Sequence, residues 1–145
     1  MADDDMNVGL LMFIAHRSME DRIFADLAES GYDDVTVAQG RLAARIGPDG
    51  SRLTELAEQA QVTKQTAGFL VDQLERTGYV RRVPDPRDGR ARLVVLSERG
   101  AKMAAYANSV AARIEAEWAT HLGAQRMRQL RETLALLREI TDPYA

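Results

Sequence analysis

Leu53-Thr54-Glu55-Leu56-Ala57-Glu58-Gln59-Ala60-Gln61-Val62-Thr63-Lys64-Gln65-Thr66-Ala67-Gly68-Phe69-Leu70-Val71-Asp72-Gln73-Leu74 is the stretch that decides the fold. Leu53, Leu56, Ala57 and Ala60 recur at spacings of three and four, which predicts a short helix from about Leu53 to Gln59. Thr63 offers the side-chain oxygen of an N-cap. Ala67, Leu70, Val71 and Leu74 then fall on one face of a second helix that ends near Thr77, with Gly78 as its stop. The small Ala57 lets the two helices approach, Val62 plugs the turn between them, and Ala67 and Leu70 pack back on the first helix. This is a helix-turn-helix pattern, although a generic helical hairpin shares it. Gln61 stands in the turn where many such motifs carry glycine.

The residues beyond this stretch narrow the choice. Residues 79–83 and 90–96 read as strands, and Pro84-Asp85-Pro86-Arg87-Asp88-Gly89 between them reads as the turn of a β-hairpin. Upstream, Thr36 is placed to cap a helix running through about Ile46, and Gly47-Pro48-Asp49-Gly50 breaks it. Three longer helices flank this unit. Residues 7–29 carry Val8, Leu11, Met12, Ala15, Met19, Ile23 and Leu27 on one stripe, and Gly31 ends that helix. Ser97 caps a helix with Met103, Ala107, Val110, Ile114, Trp118 and Leu122 inward, which Gly123 breaks. A last helix carries Met127, Leu130, Leu134, Leu137 and Ile140, and Pro143 closes it.

The expected fold is mainly α with a small β-hairpin wing. It is a winged helix-turn-helix core, about residues 36–100, with long N- and C-terminal dimerisation helices at about 7–30 and 98–141, all in one domain spanning 1–145. The flanking stripes exceed what the small core can cover, so they are expected to bury against a second subunit.

Composition narrows the function. The chain has 145 residues, 46% hydrophobic and 28% charged, which suits one folded domain. It has no cysteine, which removes disulfides, zinc–cysteine sites and thiol switches. Its two histidines, His16 and His121, are far apart in sequence. No nucleophile elbow and no phosphate-binding glycine loop is present. We therefore expect no enzyme and no cofactor or metal. No run is long and apolar enough for a membrane span, and the acidic opening Met1-Ala2-Asp3-Asp4-Asp5 is unlike a secretory signal, so a cytoplasmic location is expected.

The net charge of −3 is unevenly spread. Residues 1–35 carry a net −7, whereas residues 63–102 carry a net +4. Such a segment reads either as an ordinary solvated cluster or as a local surface for phosphates, which feel local rather than overall charge. A helical wheel centred on Ala67 turns Gln65, Phe69, Asp72, Gln73 and Arg76 outward on the second helix. On a recognition helix, Gln65 can pair bidentately with adenine, Thr66 can bond a base or phosphate, and Lys64 suits phosphate. An outward Phe69 needs a partner and can meet a thymine methyl. Arg87 and Arg90 flank the projecting hairpin tip, which suits a narrow, negative minor groove. The expected DNA-binding set is Thr63, Lys64, Gln65, Thr66, Phe69, Gln73, Arg76, Arg87 and Arg90.

With these motifs the sequence resembles the MarR (multiple antibiotic resistance regulator) family of bacterial transcription regulators over nearly its whole length. Asp85-Pro86-Arg87-Asp88-Gly89-Arg90 followed by Leu96-Ser97-Glu98-Arg99-Gly100 matches the wing motif DPxDxR and the L[ST]xxG after it. Glu75-Arg76-Thr77-Gly78-Tyr79-Val80, with Arg82 beyond, continues the helix-turn-helix as in that family. The resemblance implies a homodimer on a pseudo-palindromic site of double-stranded DNA, with recognition helices in the major groove and wings in the minor groove. It implies an ion pair between Asp72 and Arg90 that ties wing to helix. It also implies, in many members, release from DNA by a small aromatic or phenolic effector. Two positions depart from the family's habit: Phe69, where a basic or polar residue is common, and Gly89, where arginine is common.

By the same resemblance an effector pocket would be lined by the first, second and fifth helices, with Met12, His16, Gly40 and Tyr106 as candidates, although each taken singly reads first as plain interface or core packing. The leading expectation is a dimeric, sequence-specific regulator, a repressor released by a small molecule. The alternative is a ligand-binding or protein-interaction module on a winged scaffold with weak DNA binding.

Overall fold

The computed structural model describes residues 5–145. Most of the acidic opening (residues 1–4) lies outside the described residues. Six helices and one hairpin follow in the order α1 Val8–Glu29, α2 Val37–Ala43, α3 Leu53–Ala60, α4 Lys64–Arg76, β1 Val80–Asp85, β2 Asp88–Leu96, α5 Glu98–Leu122 and α6 Ala124–Thr141.

Local chemistry places the helix starts. Thr36 accepts from the Gln39 backbone N–H while the Gln39 side chain accepts from Thr36 N–H, a reciprocal capping box. Thr63 Oγ1 accepts from Thr66 N–H at 3.1 Å, and Ser97 Oγ accepts from Gly100 N–H at 3.1 Å. The sequence pattern carries the second helix to about Ile46, but α2 stops at Ala43. Arg45 and Ile46 N–H groups bond the carbonyls of Leu42 and Ala43, three residues back, so the chain tightens before the Gly47-Pro48 break.

The core is built from α2, α3, α4 and the hairpin against the start of α5. Leu42, Leu56, Ala67, Val71, Leu74 and Tyr79 are completely buried there, with Val80, Val94 and Met103 nearly so. Burying a leucine or valine side chain stabilises by about 1.5–3 kcal/mol, so this set holds the lobe together. The Tyr79 hydroxyl bonds Asp34, and the Arg99 guanidinium lies 4.2 Å from the Tyr79 ring centroid. Burial above all, and then the bond to Asp34, push the Tyr79 phenol above its ordinary range.

The hairpin is longer and its turn tighter than expected. Strands pair from Val80 with Leu96 to Pro84 with Arg92, and a register shift at Pro84/Asp85 leaves Asp85 opposite Asp88, so only Pro86 and Arg87 turn. Ser51 adds a one-residue bridge on the other side of β2, exchanging backbone hydrogen bonds with Val94 at 3.0 and 2.8 Å. Gly50 makes this approach feasible: its φ is +91°, and a β-carbon there would sit 2.8 Å from Val95 Cγ1.

Helix α1 lies along α5, tied by Arg22 to Glu117 at 2.5 and 3.0 Å and by Arg113 to Asp26 at 2.5 Å. Helix α6 folds back along α5, with Arg131 bonding Glu115 at 2.9 Å. Its end reaches the lobe, where Asp142 accepts from Arg45 at 3.0 and 3.1 Å and from Arg138 at 2.8 Å. Nearby, the Tyr144 hydroxyl bonds Glu58 of α3. The apolar stripes of α1 and α6 are only partly covered. Val8, Leu11, Met12, Phe13 and Ile14 on α1, and Leu130, Leu134, Leu136, Leu137 and Ile140 on α6, are exposed.

Candidate nucleic-acid interface and cavity

Helix α4 presents its N-terminal turn and outer face to solvent. Thr63, Lys64, Gln65, Thr66, Phe69 and Arg76 are all exposed. The Thr63 hydroxyl donates to Thr66 Oγ1 at 2.9 Å, which fixes both hydroxyls at the helix start. Because α4 begins here, its free backbone N–H groups add partial positive charge to the same end. The outer face also carries acids. Arg82 from β1 answers them, with its Nη2 2.8 Å from Asp72 and its Nη1 3.1 Å from Glu75.

Two expected positions come out differently. Asp72 pairs with Arg82 and not with Arg90. The register explains this: Arg82 lies near the base of the hairpin, opposite Val94, whereas Arg90 lies beyond the paired body near the tip. There its backbone N–H bonds the Asp88 side chain at 3.1 Å. The wing is thus tied to the recognition helix, but by the arginine at its base. Gln73 is the second case. Its side-chain oxygen accepts from Gln39 Nε2 of α2 at 3.0 Å, and it is half-buried. A residue on the edge of the wheel is drawn inward by a partner from another helix.

The wing has a further anchor that the sequence pattern does not announce. Asp85 is buried, and its Oδ2 accepts from Arg52 Nε and Nη2 at 3.1 and 2.9 Å, while its Oδ1 accepts from the Arg87 backbone N–H at 2.9 Å. The Arg87 N–H first, and then the Arg52 guanidinium, hold this carboxyl below its ordinary range. Arg52 immediately precedes α3, so Asp85 fastens the turn to the first helix of the motif. Only Asp85's place in the wing motif hints at a special role. Beyond this anchor, Arg87 and Arg90 project into solvent. Among the described residues, no carboxylate lies within 4.0 Å of the side chains of Lys64, Arg76, Arg81, Arg87, Arg90 or Arg92. Helix α4 and the wing therefore each carry cations without a carboxylate partner.

Helices α1, α2 and α5 line a half-open cavity of about 520 Å³. Its floor is apolar, from residues such as Ile23, Phe24, Val35 and Met103, and His16, Glu20, Arg41 and Asn108 supply polar groups. Arg41 grips Glu20 at 2.7 and 2.9 Å, with His16 Nε2 3.4 Å from the same carboxylate. The Arg41 hydrogen bond holds the Glu20 carboxyl below its ordinary range against the opposing effect of burial. Of the four expected pocket residues, His16 and Gly40 line this cavity, whereas Met12 and Tyr106 do not. Met12 is exposed farther up α1, and Tyr106 packs its ring 6.3 Å from that of Tyr32. Gly40 is also a packing residue, since a β-carbon there would sit 2.5 Å from Phe24 Cζ.

Known proteins share part of this sequence and the overall fold. Residues 33–91 match the family model described as MarR family. That stretch takes in α2, α3, α4 and β1, so the similarity to the family falls on the winged helix. A stretch of 61 residues, 42% of the chain, is 36% identical to the transcriptional activatory protein BadR of Rhodopseudomonas palustris. That stretch spans about a third of the curated relative, 35% of its length. Solved structures extend the likeness to the whole MarR-like fold. CouR from Rhodococcus jostii RHA1 bound to p-coumaroyl-CoA superposes with a TM-score of 0.74 at 21% identity, covering 99% of this chain and 96% of that one. The S. aureus MepR–DNA complex gives 0.69 at 21% identity, covering 93% and 98%. The family and the curated relative are transcription regulators, not enzymes. Among the described residues, no helix is long and apolar enough to cross a membrane.

Proposed function

We propose that this chain is a homodimeric, sequence-specific DNA-binding transcriptional regulator whose hold on DNA is released by a small molecule in the cavity between α1, α2 and α5. The observation that carries the reading is the set of exposed cations on α4 and the wing, Lys64, Arg76, Arg87 and Arg90, free of carboxylate partners among the described residues. Thr63, Lys64 and the α4 N-terminus would hold phosphates, Gln65 and Thr66 would face base edges, and Arg87 would enter the minor groove. The exposed apolar faces of α1 and α6 support the dimer, since such surface is costly to leave in water. A dimer would place two recognition helices on half-sites about 34 Å apart.

The cavity supports the effector. Its apolar floor suits an aromatic or phenolic body, and Arg41 and Asn108 suit a polar end. The related fold of CouR, solved with p-coumaroyl-CoA, is in keeping with a ligand-responsive scaffold. Repression is the proposed sign, although the curated relative is named an activatory protein. The cytoplasm is the proposed location.

Fluorescence anisotropy with DNA from upstream of the chain's own gene, at several salt concentrations and with nonspecific competitor, tests the reading. Competitor-resistant binding with a steep salt dependence supports it. A transcriptional reporter on the same DNA then gives the sign. Binding that competitor abolishes, on this DNA and on duplexes selected from a random library, would overturn it.

A further inference from the structure

Phe69 stands in the second turn of α4 with 58% of its surface exposed. It lies one helical turn beyond Gln65, on the same face. Its neighbours Ala67 and Leu70 are buried, so the helix is not rotated to take the ring inward. Among the described residues of the lobe, from α2 to β2, the only other large apolar side chain so exposed is Val37. One phenylalanine is not a protein-docking patch, which needs roughly 800 Å² on each partner. The exposed Lys64 and Arg76 of the same helix, without carboxylate partners among the described residues, suit a polyanion instead. The major groove of DNA offers one apolar group to such a ring, the C5-methyl of thymine.

We infer that Phe69 reads a thymine methyl group in the major groove and so fixes the base at one position of each half-site. This rests on the DNA-binding function proposed for the chain. The polar donors on α4 do not supply this discrimination, because uracil and thymine present the same O4 acceptor. The ring separates them by the methyl alone. Removing one buried methyl weakens binding by about fourfold.

The test begins with the full chain and a library of duplexes carrying a randomised segment, from which bound duplexes are recovered. Each thymine of the recovered half-site is then replaced in turn by deoxyuridine. The expected result is one position per half-site at which the chain loses about fourfold in affinity per methyl. Phe69→Ala should bind the thymine and uracil duplexes alike at that position, and Phe69→Leu should keep part of the difference. The ring is exposed, so these variants should fold, and circular dichroism checks this. Uracil tolerated at every position would overturn the inference, as would uracil sensitivity surviving in Phe69→Ala. A library that yields no enriched duplex would overturn the DNA-binding reading itself, before any uracil is introduced.

Discussion

The carbonyl oxygen of Tyr79 lies 2.0 Å from the point where a β-carbon on Gly100 would sit. The same carbonyl accepts from the Ser97 backbone N–H at 2.9 Å. The first turn of α5 is therefore seated directly on the backbone at the foot of the hairpin. A Gly100→Ala substitution pushes first against the Tyr79 backbone, and overpacking of this kind costs about 1–3 kcal/mol or more. Urea unfolding at fixed chain concentration should show that loss. A change under about 0.5 kcal/mol would mean that the two elements can separate freely.

Gln61 is the one described non-glycine residue with positive φ, at φ 57° and ψ 46°. Left-handed backbone costs an L-residue about 1–2 kcal/mol, and glycine returns about half of that through its greater freedom when unfolded. Its side chain recovers a little by donating to the Glu58 carbonyl. Gln61→Gly should thus stabilise the chain by about 0.5–1 kcal/mol, read as a rise of a few degrees in the thermal midpoint.

Asp142 gives a pH prediction. The Arg138 side chain first, then the Tyr144 backbone N–H and Arg45, bring its carboxyl down to about 2. An aspartate in the unfolded chain titrates near about 3.9. The folded value is the lower one, so the contribution is fully present above about pH 4 and fades as pH falls toward about 2. The stability gap between the wild-type chain and Asp142→Asn should be constant at neutral pH and narrow through that window. Chemical denaturation across a pH series measures it.

Arg87 and Gln73 should separate into different kinds of loss. Arg87→Ala should weaken DNA binding and lower the salt slope by about 1 for each protomer, with stability unchanged. Gln73→Ala leaves the buried Gln39 amide without its acceptor, so it should cost about 1–3 kcal/mol of stability while base preference holds. Anisotropy and urea unfolding on both variants check the division. A changed base preference in Gln73→Ala would return that residue to the DNA face.

The exposed apolar face of α6 gives the dimer test. Leu134→Asp combined with Leu137→Asp should turn a dimer into a monomer on size exclusion with light scattering. The DNA-binding lobe should remain folded, because no residue of α6 is buried in the core of the single chain.

Most of the fold was legible because its signals are local. Thr36, Thr63 and Ser97 cap within three residues of themselves, and Gly78 and Gly123 stop helices by their own conformation. The exposed outer face of α4 follows from its helical period. What escaped was set by partners distant in sequence. Nothing near Ser51 announces its bridge to Val94, 43 positions on. Nothing near Asp85 announces Arg52, and the choice of Arg82 over Arg90 for Asp72 depends on strand register. The cavity was misjudged in the same way. Met12 stands one turn along α1 from His16, and Tyr106 lies level with the cavity but turns its ring toward Tyr32, and only packing fixes both.

Helix α5 starts on the wing's foot at Glu98 and ends at Leu122 beside the start of α6. Its 25 residues make a rod about 37 Å long, without an internal break. The cavity wall includes Met103, Ala104 and Ala107, close to the lobe end of that rod. A rod pivoting at its far end by only about 5° would carry the lobe through about 3 Å. In the proposed dimer two such rods would swing in opposite senses, and the distance between recognition helices would change by up to twice that. A guest that merely wedges α1 from α5 would need no contact with any DNA-facing residue. It would act as a change of gauge, leaving both reading heads intact but set at the wrong pitch for the double helix.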